Sequence, residues 1–202
     1  KYSQINSGEI DCDIIIRLVY ELSNNQKTYI QGYMESIGFG DVIMKDIPIL
    51  NSTWSNIIEG EYILISPFTS GWEEKKRSWG YKKFIELSKL LEAEYGIKSV
   101  ILEKHYSISE MMSLIKHCKF FIGNDSGPAI IAQSFKKKSF VIFGATRPEY
   151  VHVSEYTVPI YDKNRHKLCK HNSRKEEVDC CEEVCMERIR VDKVFDQIRL
   201  NL

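Results

Sequence analysis

The chain has 202 residues, 43% of them hydrophobic and 28% charged, enough to bury one core of ordinary domain size with an appendage. Lys plus Arg and Asp plus Glu are balanced at 28 each, and no run of like charge is longer than Lys136–Lys138, which disfavours nucleic acid as a partner. The apolar runs fall far short of the ~20 residues that span a bilayer, and the N-terminus has no signal-peptide pattern, so a cytoplasmic protein is the expectation.

In chain order, residues 1–58 are the least regular part. They hold an apolar stretch at 14–22, then a helical stripe of Tyr29, Ile30, Tyr33, Met34 and Ile37 closed by Gly38, then a linker-like "DIPILNSTWSNIIEGE". The chain begins with Lys rather than Met, and an upstream segment is expected. From residue 60 to 150 the pattern alternates. "EYILISPF" (61–68) predicts a buried strand, and 81–96 a helix with Phe84, Leu87, Leu91 and Tyr95 on one face and Gly96 at its end. A strand follows at 97–102, then a helix at 107–118 whose Ser107 and Glu110 make a capping box. "KFFIG", 127–135 and "SFVIFG" (139–144) read as strand, helix and strand. Alternation of this length implies an α/β fold with a parallel sheet covered by helices. Residues 164–202 are first polar and Cys-rich, then offer Ile189, Val194, Phe195 and Ile198 as the apolar side of a closing helix. There is no internal repeat.

The stretch "FFIGNDSGPAIIAQSF" (120–135) ends a strand in a Gly-rich turn just as a helix begins. In open parallel sheets ligands sit at the carboxyl ends of strands, where helix N-termini offer free N–H groups to phosphate or another anion. Pro128 suits the first helical turn, and Gly123 and Gly127 permit close backbone approach. Asp125 would repel a phosphate unless it caps the helix or accepts a ligand hydroxyl, and a plain turn in which Asp125 and Ser126 only cap the helix is the alternative. A second loop, "SPFTSGWEEKKRSWG", sets Ser66, Thr69, Ser70, Lys75, Lys76 and Arg77 beside another strand end, as a diphosphate site requires and as ordinary surface loops also do. A third, "FGATRPEY", brings Thr146 and Arg147 to the same ligand or merely turns the chain. His105 and His117 read as ordinary helix-flanking residues, Trp54, Trp72 and Trp79 as packing groups, and Cys12 and Cys118 as small buried hydrophobes.

Cys169, Cys180, Cys181 and Cys185, with His166 and His171 nearby, supply enough soft ligands for a structural zinc or iron ion, although the spacing fits no standard pair. Reduced thiols in a packed loop and a disulfide are the other two states left open.

Taken together, "ILISPFTSGWEEKKRSW", "FFIGNDSGP", "VIFGATRPEY" and "CCEEVCMERIRVDKV" resemble glycosyltransferase family 9, which includes the ADP-heptose:lipopolysaccharide heptosyltransferases, over about residues 60–198. The resemblance implies a GT-B architecture, with 59–163 as its Rossmann-like, nucleotide-sugar-binding C-terminal domain, 1–58 as a short remnant of the acceptor-side domain, and 164–202 as a Cys-rich loop with a closing helix. It implies that Thr69, Ser70 and Arg77, with Lys76 as the alternative cation, contact the donor diphosphate; that Asp125, Ser126 and Gly127 meet the donor sugar and phosphate; and that Glu103 is the nearest match to the ribose-binding acid. The implied partners are a nucleotide-sugar donor such as ADP-heptose and a lipopolysaccharide or other glycan acceptor, with no cofactor required for catalysis, a place at or near the inner membrane, and a missing N-terminal domain or a homo-oligomer to complete the cleft.

The sequence departs from the family in three places. Ile130 stands where the family commonly has a His that reaches the donor, only "EKHY" separates the strand at 97–102 from the next helix, and no counterpart of the family's acidic catalytic base is found in 1–58. These departures leave a second expectation: a non-catalytic GT-B half kept as a binding or assembly module.

Overall fold

The computed structural model describes residues 54–69, 77–144, 146, 148, 151, 153–163 and 184–202. The stripe at 29–37, Ser70, Lys75, Lys76, Arg147, Trp72 and three of the four clustered cysteines lie outside these residues.

Five strands and five helices are described: β1 (Tyr62–Ser66), α1 (Tyr81–Tyr95), β2 (Lys98–Ile101), α2 (Ile108–His117), β3 (Phe121–Asn124), α3 (Gly127–Ser134), β4 (Ser139–Ile142), β5 (Thr157–Ile160), α4 (Val184–Arg188) and α5 (Val191–Asn201). The strands form one parallel sheet in the order β2-β1-β3-β4-β5. The fold is thus the expected Rossmann-like α/β sheet with flanking helices.

Both faces are covered, which is why the strands read as continuous apolar runs. Ile63, Ile65, Ile122, Phe140 and Ile142 point to one side, against Phe84, Leu87 and Leu91 of α1 and Val191, Val194 and Ile198 of α5. Tyr62, Leu64, Phe121 and Val141 point to the other, against Leu114 and Ile115 of α2 and Ala129 and Ala132 of α3. Each fully buried aliphatic side chain contributes on the order of 2 kcal/mol by leaving water. The closing helix is therefore part of the same core as the sheet, with Met186 and Ile189 in its cluster.

Local signals set the helix boundaries. Gly96 ends α1 in the left-handed region at φ 64°, donating its N–H to the Glu92 carbonyl. Ser107 Oγ accepts from the Glu110 N–H while Glu110 accepts from the Ser107 N–H, so α2 has its full capping box.

One strand was not anticipated. β5, "TVPI", contains Pro159 and pairs with β4 at the edge of the sheet, where a residue without an N–H is tolerated. The described end of the linker-like segment, from Trp54 on, packs against the domain. Its Trp54 ring meets Phe135 edge-on, His117 Nε2 donates to the Trp54 carbonyl at 2.7 Å, and Ser113 Oγ donates to the Ser55 carbonyl at 2.6 Å. His117 is thus engaged structurally. Cys118 is buried as expected, and burial pushes its thiol up to about 12, so it is protonated at neutral pH. Among the described residues no helix is long and apolar enough to cross a membrane.

Candidate functional site

The strand order puts a topological switch point between β1 and β3. From β1 the chain moves to β2 on one side and then returns to β3 on the other, while α1 and α3, which follow β1 and β3, cover opposite faces. At such a switch point the loops leaving adjacent strands part, and ligands bind between them. The loop after β1 and the turn after β3 are two of the three singled out by their sequences.

Asn124, the last residue of β3, joins them. It is fully buried, its Nδ2 donates to the Pro67 carbonyl at 2.8 Å, and its Oδ1 accepts from the Trp79 N–H at 3.0 Å. Both ends of the β1–α1 loop are therefore tied to the end of β3. One residue further on, Arg77 Nη2 donates to the Asp125 carbonyl and faces its Oδ2 at 3.4 Å. The pair is largely but not wholly buried, with side-chain exposures of 28% for Arg77 and 14% for Asp125. Arg77 Nε is buried and has no hydrogen-bond partner among the described residues, so this guanidinium keeps an unspent donor.

The turn itself is not used as a cap. Ser126 Oγ donates back to the Asn124 carbonyl at 3.1 Å and α3 has no side-chain cap, which overturns the alternative of a plain turn in which Asp125 and Ser126 only cap the helix. The Gly127 N–H has no acceptor among the described residues, and a Cβ built on Gly127 would meet nothing within 4 Å. Gly123 is different. A Cβ there would lie 2.9 Å from the Phe121 ring and 3.0 Å from the Ser66 carbonyl, so the close approach of β1 and β3 requires glycine.

The other expected residues fall around the same edge. Thr69 is buried just past β1, Glu103 is half-buried two residues past β2, and Thr146 is half-exposed four residues past β4. Among the described residues the Glu103 carboxylate meets neither Arg77 nor Asp125. Ile130, in the first turn of α3, is 44% exposed and presents an apolar surface. Ser70 and Lys76 lie outside the described residues. So do Cys169, Cys180 and Cys181; Cys185 is half-buried in α4, and among the described residues no group of three or more His, Cys, Asp or Glu could hold a metal.

Two residues brace the loop from behind: Trp79, which packs as expected, and Lys83, which sequence reasoning passed over. Trp79 Nε1 donates to the Ile189 carbonyl at 2.7 Å, and Lys83 Nζ donates to the carbonyls of Met186 at 2.8 Å, Glu187 at 3.3 Å and Ile189 at 3.3 Å. Burial lowers the Lys83 pKa, against the smaller opposing effect of Glu187. Asn124 was visible in "GNDSGP", but its two partners lie 45 and 57 residues away and no local pattern announces them.

Known proteins share the fold. Residues 92–186 match the family model described as glycosyltransferase family 9 (heptosyltransferase). No curated protein sequence matches the chain. Among solved structures, the Escherichia coli ADP-heptose lps heptosyltransferase II superposes with a TM-score of 0.63 at 15% identity, over 90% of this chain and 63% of that one. The iron-containing, dodecameric heptosyltransferase TibC, of enterotoxigenic E. coli H10407, in complex with ADP-D-beta-D-heptose gives a TM-score of 0.64 at 15% identity, over 86% and 53%. E. coli WaaC with ADP-2-deoxy-2-fluoro heptose gives 0.53 at 14% identity, over 86% and 55%. The chain thus spans between about half and less than two thirds of the length of these structures, 53%, 55% and 63%. Over residues 92–186 the chain is thus similar to glycosyltransferase family 9, and its fold is the one seen in heptosyltransferase structures.

Proposed function

We propose that this chain supplies the donor-binding part of a heptosyltransferase-like glycosyltransferase, holding a nucleotide-diphosphate sugar at the carboxyl ends of β1 and β3. The observation that carries this proposal is the meeting of Arg77 with Asp125 at the switch point, where a buried guanidinium N–H has no partner and the Gly127 amide has no acceptor among the described residues. Arg77 and the Gly127 N–H can together receive a diphosphate that Asp125 alone would repel, and Asp125 is placed to accept a sugar hydroxyl. Their chemistry is electrostatic: they neutralise the departing nucleoside diphosphate as the acceptor hydroxyl attacks the anomeric carbon. Thr69, Ser70, Lys76 and Thr146 complete the diphosphate contacts in this scheme, and Glu103 takes the ribose.

ADP-heptose is the donor class we favour, because two of the similar structures hold ADP-heptose or its 2-deoxy-2-fluoro analogue. A lipopolysaccharide or related glycan is the corresponding acceptor, reached at the cytoplasmic side of a membrane, with the catalytic base supplied by an acceptor-side domain. Cys169, Cys180, Cys181 and Cys185 enter as a candidate structural zinc or iron site, which metal analysis decides by finding one ion per chain or none. Exposed Ile130 favours a second scheme, in which the half-site binds nucleotide without turnover.

Calorimetric titration of the chain with ADP, UDP and GDP tests the donor site. Micromolar binding of one of them is expected; no binding to any by the folded chain would overturn it.

A further inference from the structure

We propose that Asn124 is a positioning residue for the diphosphate site, closing the β1–α1 loop at its base so that Thr69 and Arg77 are presented to the ligand. This rests on the donor-binding function proposed above. The loop leaves the sheet at Pro67 and reaches α1 through Trp79, and a single buried carboxamide bonds both points, at 2.8 and 3.0 Å. Only a carboxamide suits the place. The Pro67 carbonyl needs a donor and the Trp79 N–H needs an acceptor, and no water-exposed route is open because Asn124 is fully buried. The next residue, Asp125, then holds Arg77 from the same strand end. The Trp79 indole is fixed in turn by the Ile189 carbonyl, so the far end of the loop is held from both sides.

Asn124→Asp separates this role from general support of the fold. The substitution keeps size and the acceptor for Trp79 but sets a carboxylate oxygen against the Pro67 carbonyl. A misplaced loop weakens contacts to the second phosphate, whereas contacts to the nucleoside are made elsewhere. ADP affinity is therefore expected to fall at least about tenfold, with AMP affinity within about twofold, so that the ADP-to-AMP preference collapses. A general loss of folding would lower both together. Equal affinities of wild type and Asn124→Asp for ADP would overturn the assignment while leaving the donor site intact; a wild type that binds no nucleotide would overturn the donor site first. Amide hydrogen exchange on the wild type guards against a variant that does not fold. The Trp79 N–H is expected to be protected like those of β3, and exchange at the rate of an open loop would contradict the staple.

Discussion

Two strand-to-helix turns of this molecule, after β2 and after β3, have similar sequence signals and opposite uses. At Ser107 the side chains serve the helix: Ser107 and Glu110 satisfy each other's backbone amides. At Ser126 they serve other segments: Asn124 ties down the β1–α1 loop, Asp125 meets Arg77, Ser126 turns back to Asn124, and the first helical amide is left without a side-chain cap. A polar turn at a strand end is thus structural when its groups bond to their own helix. It is a candidate site when they bond elsewhere and leave the helix amide open.

The largest expected effect lies at the strand that carries the second turn. Gly123→Val places atoms into the Phe121 ring and the Ser66 carbonyl, and is expected to destabilise the chain by about 3 kcal/mol, read by chemical denaturation. An unchanged midpoint would show that β1 and β3 need no close approach. Ser107→Ala removes a true cap and is expected to lower stability by about 1 kcal/mol with nucleotide affinity untouched. Ser126→Ala should do the reverse, changing stability by less than about 0.5 kcal/mol while weakening ADP binding severalfold, because the hydroxyl caps nothing. Matching effects of the two substitutions would erase the contrast between the turns.

The smallest effect is a pH dependence at the first turn. Hydrogen bonds from the Ser107 side chain and backbone hold the Glu110 carboxyl below its ordinary value. Because the folded pKa is the lower one, the contribution is complete above the unfolded-state pKa and is lost as pH falls through the folded value. The stability difference between wild type and Glu110→Gln is therefore expected to shrink on acidification below about pH 4.5, and a constant difference would count against the capping box.

Much of this was legible in the sequence, and for local reasons. Gly96 as a left-handed end and the Ser107–Glu110 box act within one helical turn, so their residues announce them. The four strands from β1 to β4 were equally plain as apolar runs between helical patterns. What was hidden depends on distant partners or on position in the sheet. Pro159 made β5 look unlike a strand, and only its place at the edge makes the residue acceptable. At the site, Arg77 and Asp125 stood out by residue type, but the order β2-β1-β3 that brings their loops together is a pairing choice no local pattern contains. The bonds of Asn124, of the Trp79 indole and of Lys83 were hidden for the same reason, since each runs to backbone far along the chain.

The central claim is that the β1–α1 loop and the turn after β3 form one anion site, and a double-mutant cycle in ADP binding tests it most directly. ADP affinity would be measured for the wild type, Arg77→Ala, Asp125→Ala and the double variant. The account predicts that each single change weakens binding and that the two are non-additive, with a coupling of about 0.5–3 kcal/mol. Strictly additive effects, or ADP binding indifferent to both residues, would contradict it.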